Sequence, residues 1–169
     1  DFGALQCRPK APNCQQCPLQ ETCSAYIHNK VEELPIKSKK VKIRERFFTY
    51  VVFTHSNTIF LQKRAAGDIW QGLYEPLLIE NNSSKNVKEI INTLSDTLQH
   101  QAYTLSPIAE SVLHILTHQR LNINFYEIKL ETLPEFIRKE FTAVKIENIH
   151  EYGMPQVVKK ILINYFLNK

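Results

Sequence analysis

Glycine is scarce in this chain, four residues in 169, and none sits in a run able to cradle a phosphate. No serine lies in a Gly-x-Ser-x-Gly elbow, and Ser111 and His114, three apart, have no such frame around them. No apolar stretch is long enough to cross a bilayer, and no signal-peptide pattern opens the chain. Cysteine is missing from everything after residue 23. These absences argue against a P-loop nucleotidase, an α/β-hydrolase, a helical membrane protein and a disulfide-stapled secreted domain, and they point to a reducing cytoplasm.

What is present fits a folded domain: 43% hydrophobic residues, 22% charged and a formal net charge of +4. Such a length allows one good core, or one core plus an appendage. The charge sum is too small to mark a nucleic-acid binder, so its distribution matters more. The chain opens on Asp1 rather than methionine, with six residues ahead of the first cysteine, and is expected to be a fragment of a longer protein.

All four cysteines, Cys7, Cys14, Cys17 and Cys23, are separated by six, two and five residues. Thiolates gathered in so short a span close around one metal centre, either tetrahedral zinc or a cubane iron-sulfur cluster. Zinc is the weaker fit, because structural zinc usually takes two Cys-x-x-Cys knuckles and here one close pair is flanked by single cysteines. Pro9 and Pro12 stiffen a first gap wide enough to pass around something larger than one ion. Disulfides would call for a secreted context.

Residues 30–46 change character. Lys37, Lys39, Lys40, Lys42, Arg44 and Arg46 fall within ten residues, and with Pro35 the stretch reads as an extended basic linker. Beyond it, residues 47–54 are aromatic and β-branched, Ser56, Asn57 and Thr58 supply a turn, and residues 59–63 return as a second strand. Ser84 is the expected cap of a helix whose Val87, Ile90, Ile91, Leu94 and Leu98 share one face. Strands are expected at 108–116, at 121–128 and near 141–146. Pro155 opens a last helix with Val157, Val158, Ile161, Leu162, Tyr165 and Phe166 as its buried stripe. Interleaving of this kind predicts one α+β domain of mixed sheet and helices over residues 47–169.

The cysteine spacing resembles the iron-sulfur loop of the endonuclease III and MutY group of DNA glycosylases. That resemblance implies a [4Fe-4S] cluster on Cys7, Cys14, Cys17 and Cys23. It makes residues 1–29 the end of the glycosylase domain, with residues 1–6 closing the helix that leads into the loop. It also implies that Arg8 and Lys10, on a loop clamped by ligation, touch the DNA backbone, and that the linker cations lie near phosphates. Solvated charges are the plainer reading of both groups. Asp1 is not the family's catalytic aspartate, which lies well upstream.

Residues 63–76, from Lys63-Arg64 through Asp68-Ile69-Trp70 to Tyr74-Glu75-Pro76, look like the Trp-Glu-Phe-Pro region of the Nudix-like, MutT-like domain that MutY-type adenine glycosylases carry after a linker. Tyr74 replaces the tryptophan, and the phenylalanine before the proline is missing. A Nudix hydrolase needs paired carboxylates to hold magnesium against a diphosphate, whereas the helix here offers Glu89 and Asp96, seven apart. The expectation is a domain that keeps the fold and binds without cleaving.

His114-Ile115-Leu116-Thr117-His118 resembles the family's His-x-Phe-Ser-His pattern, whose last three residues read 8-oxoguanine opposite the target adenine. The resemblance assigns that role to Leu116, Thr117 and His118. Leucine keeps apolar bulk without a stacking ring, and threonine keeps the hydroxyl. Oxidation turns guanine N7 from an acceptor into a donor, so an acceptor such as Thr117 Oγ1 discriminates. Ordinary strand-end residues are the plainer reading.

The implied function is base-excision repair by an adenine DNA glycosylase, a hydrolase of N-glycosyl bonds. It would remove adenine mispaired with 8-oxoguanine or guanine from double-stranded DNA, at the bacterial nucleoid and away from any membrane. The family's glutamate and aspartate that perform excision belong to a helix-hairpin-helix part not found in these residues. No catalytic residue is therefore assigned, and the chain alone is expected to be inactive. A non-catalytic nucleic-acid-binding or protein-interaction module of the same fold is the alternative.

Overall fold

The computed structural model describes residues 2–8, 10–34, 43–81, 83, 92, 94, 98 and 102–168. The chain divides into two compact units, Asp1–Lys42 and Ile43–Lys169. In the first, two short helices, α1 (Phe2–Leu5) and α2 (Ser24–Ile27), bracket the cysteine loop, with single 3-10 turns at Cys14–Gln16 and Gln20–Thr22. The linker cations Lys37, Lys39, Lys40 and Lys42 lie outside the described residues.

Seven strands form the second unit's mixed sheet among the described residues: β1 (Arg44–His55), β2 (Thr58–Lys63), β3 (Tyr74–Glu75), β4 (Leu77–Asn81), β5 (Tyr103–Ile115), β6 (Gln119–Leu130) and β7 (Thr142–Lys145). The main path runs β3-β2-β1-β6-β5, with β4 added to β1 and β7 to β2. β1 and β6 run parallel, from Arg44 opposite Gln119 to Thr54 opposite Lys129, while the remaining pairs are antiparallel. Helices α3 (Glu135–Glu140) and α4 (Gln156–Phe166) follow, and Asn92, Leu94 and Leu98 are helical as well.

The central strand β1 is buried on both sides, which explains its near-continuous apolar run. Phe48, Tyr50 and Val52 meet Leu121, Ile123 and Phe125 of β6 and Val158 and Leu162 of α4 in one cluster. Val51 and Phe53 meet Tyr126, Ile128 and Leu130 of β6, Ile137 of α3, and Leu94 and Leu98 in the other. Leu94 and Leu98 of the expected helix are thus buried, while Ser84, Val87, Ile90 and Ile91 lie outside the described residues.

The strands expected from sequence appear, most of them longer than the pattern indicated, while the one expected near 141–146 is the shorter Thr142–Lys145. β5 starts at Tyr103 and β6 at Gln119, because pairing continues where alternation fades. Arg44 and Arg46, counted with the linker from sequence, stand in β1. Arg46 enters the sheet because carboxylates meet it there, and buried charge is tolerated only when paired. Neither α3 nor the 3-10 turn Ile146–Glu151 was signalled by periodicity, since each is too short to show a face.

Candidate nucleic-acid interface

β5 and β6 are joined by Leu116, Thr117 and His118. The Leu116 N–H donates to the Gln119 carbonyl at 2.9 Å, so the chain reverses within four residues and Thr117 and His118 occupy the apex. From the neighbouring strand, the Arg44 N–H donates to the His118 carbonyl at 3.0 Å. The backbone of the tip is therefore tied on two sides while the Thr117 and His118 side chains face solvent. Leu116 is half-buried and packs against the first core cluster, so its apolar bulk anchors the turn. Ile115 just before it is 66% exposed, and Arg44 and Arg120 add exposed cations near this end.

Behind the tip lies a charge network that no sequence signal announced. Arg46, 4% exposed, donates from Nε and Nη2 to Glu80 at 2.7 and 2.5 Å, and from Nη1 and Nη2 to Asp68 at 2.7 and 2.6 Å. Its Nη1 also reaches Gln119 Oε1 at 3.1 Å. Arg64 donates to the Ile69 carbonyl, to Asp68 and to Glu75, and the Tyr50 hydroxyl donates to Glu75. Hydrogen bonds from Arg46 hold the Asp68 and Glu80 carboxyls below their usual range, and burial pushes Glu75 up despite Arg64. Burial together with Glu75 raises the Tyr50 phenol, which stays protonated as a donor. Such a set ties β1, β3, β4, β6 and the 64–73 loop together.

Trp70 sits within that loop at φ +64°, an unusual backbone state for a bulky residue. Its ring is 6.4 Å from Phe48, edge-on, and 5.8 Å from His114, tilted. Gly72 at φ +77° closes the loop, its N–H donating to the Arg64 carbonyl.

In the first unit, Cys7, Cys14, Cys17 and Cys23 line one small cavity of about 30 Å³ together with Gln6, Pro12, Asn13, Gln20 and Tyr26. Partial burial, then the neighbouring Cys17, Cys23 and Cys7, push the Cys14 thiol up. Repulsion among would-be thiolates is what a cationic centre relieves, so the donor set fits a soft metal group. No three His, Cys, Asp or Glu side chains among the described residues are placed to share a single metal ion. Arg8 and Lys10 are both exposed on this loop.

Residues 48–164, the span from the first buried aromatic of β1 into the last turn of α4, match the NUDIX domain family. The chain belongs to that family. The fold agrees, since the C-terminal domain of mouse MUTYH, solved in complex with human PCNA, superposes with a TM-score of 0.55 at 19% identity over 72% of this chain and 88% of that one. Adenine DNA glycosylase of Buchnera aphidicola subsp. Acyrthosiphon pisum is 28% identical over 99% of this chain and 47% of its own length. Adenine DNA glycosylase of Buchnera aphidicola subsp. Baizongia pistaciae is 30% identical over 96% of this chain and 45% of its own. The chain spans about half the length of the curated relatives it matches. In this NUDIX domain, Glu89 and Asp96 lie outside the described residues. The acids that line its open cavity of about 380 Å³, Asp68, Glu75 and Glu80, are each bonded to Arg46 or Arg64. No helix among the described residues is long and apolar enough to cross a membrane.

Proposed function

We propose that this chain is the C-terminal portion of an adenine DNA glycosylase of base-excision repair, in which the NUDIX domain reads 8-oxoguanine opposite the adenine to be removed. The observation that carries this reading is the β5–β6 tip: an exposed hydroxyl and an exposed imidazole on a backbone tied from both sides. A preformed polar edge loses little freedom on binding. Thr117 Oγ1 accepts the N7–H that only the oxidised base presents, His118 contacts the same base edge, and Leu116 gives the tip its apolar base. Support comes also from the adenine DNA glycosylases that align over 96 to 99% of the chain.

Arg8 and Lys10 contact DNA phosphates, which position the protein without conveying sequence. Cys7, Cys14, Cys17 and Cys23 hold a [4Fe-4S] cluster, a structural centre that fixes the loop bearing those two cations. Excision belongs to residues of the longer protein, so the chain by itself removes no adenine.

In the full-length protein, Thr117→Ala and His118→Ala each lower the ratio of adenine excision from 8-oxoguanine·adenine over guanine·adenine duplexes by about fivefold, the value of one hydrogen bond, while excision persists. An unchanged ratio in both variants overturns the reading. Metal analysis of anaerobically purified full-length protein returns about four irons per chain, with matching sulfide. Zinc in their place would refute the cluster.

A further inference from the structure

We infer that Gln119 and Trp70 are positioning residues for the lesion-reading tip, set from behind by the cluster of Arg46, Asp68 and Glu80. The inference rests on the proposed role of Thr117 and His118. The tip has two stems: Trp70 of the 64–73 loop reaches one, and Arg46 of β1, paired with that loop's Asp68, reaches the other. On the β5 stem, His114 lies 5.8 Å from the Trp70 ring. On the β6 stem, Gln119 Oε1 accepts from Arg46 Nη1 at 3.1 Å, and the same nitrogen donates to Asp68 Oδ1 at 2.7 Å.

The loop is stiff enough to serve as a brace. Arg64 Nε donates to the Ile69 carbonyl at 2.7 Å, the Asp68 side chain accepts from the Ile69 N–H at 2.8 Å, and the Leu73 N–H donates to the Trp70 carbonyl at 3.1 Å. Two carboxylates already neutralise Arg46, so its bond to Gln119 is not required for charge and instead fixes where that amide sits. Trp70 is held at φ +64°, a strained state that surrounding contacts must impose, and its ring points at a tip stem. An antiparallel pair alone leaves the tilt of its turn free, and contacts from a third element remove that freedom. A base edge is read by hydrogen bonds, for which a displacement of about 1 Å is decisive.

The test uses the full-length glycosylase and single-turnover excision on 8-oxoguanine·adenine and guanine·adenine duplexes, with Thr117→Ala as reference. Gln119→Ala lowers the ratio of the two rates about threefold or more while excision persists. Trp70→Ala lowers the ratio as well, and Trp70→Phe recovers part of it. The inference is overturned when Thr117→Ala lowers the ratio but Gln119→Ala does not. Should Trp70→Ala fail to fold, Gln119→Ala decides. A ratio that Thr117→Ala also leaves intact refutes the lesion-reading role itself and takes this inference with it.

Discussion

Arg46 is almost fully buried and charged, a combination that survives only because two carboxylates converge on one guanidinium. Arg46→Ala leaves Asp68 and Glu80 without their main partner and lowers the unfolding free energy by about 3 kcal/mol, measurable by urea titration. The same residue governs acid sensitivity. Asp68 and Glu80 sit below their ordinary values of 3.8 and 4.5 in the folded chain, with Arg46 the largest cause for each. Carboxyls depressed in this way stabilise the fold above those ordinary values, and the contribution is lost as pH falls through the depressed ones. Urea midpoints therefore decline as pH drops from about 5 toward about 3, and the decline is shallower in Arg46→Met. None of this was legible in the sequence. Arg46 closes a run of six cations, and its partners lie 22 and 34 residues away. Thr117 and His118 were legible as a patterned pair, whereas the packing of Leu116 into the core was not.

Among the elements, β6 and α4 were readable because each repeats apolar residues at its own period, and β1 because its aromatic and β-branched run is nearly unbroken. In α4 most of the expected stripe packs on the core, with Val158 and Leu162 fully enclosed and Val157, Ile161 and Phe166 beside them, whereas Tyr165 is half-buried and its hydroxyl donates to Glu127. Leu162→Ala costs about 3 kcal/mol in urea unfolding, through lost transfer energy and the cavity left behind. What resisted reading was irregular. β3 has two residues, and β5 changes register twice, between Pro107 and Ala109 and between Ala109 and Val112. At that second shift Ser111 takes φ +55°, its N–H donating to Asn124 Oδ1 at 2.8 Å. A bulge is set by cross-strand geometry, which a linear pattern does not carry.

Across the whole molecule, the step that sequence could not supply is the parallel pairing of β1 with β6. Arg44 meets Gln119 seventy-five positions away, and no local signal specifies such a partner. Both core clusters and every strand among the described residues fall within Ile43–Lys169. Residues 43–169 produced alone are accordingly expected to unfold in one cooperative urea transition, and a broad non-sigmoidal loss of circular dichroism would contradict that.

Among the described residues β5 ends the sheet path, so along its thirteen residues the amides and carbonyls that point away from β6 meet no further strand. A flat border of that length invites other polypeptides to stack on it as fibrils do. Here Pro107 offers no amide, the two dislocations bend the border, and Ser111 turns its own N–H back toward β6. An incoming strand finds short interrupted stretches to dock on in place of one continuous border.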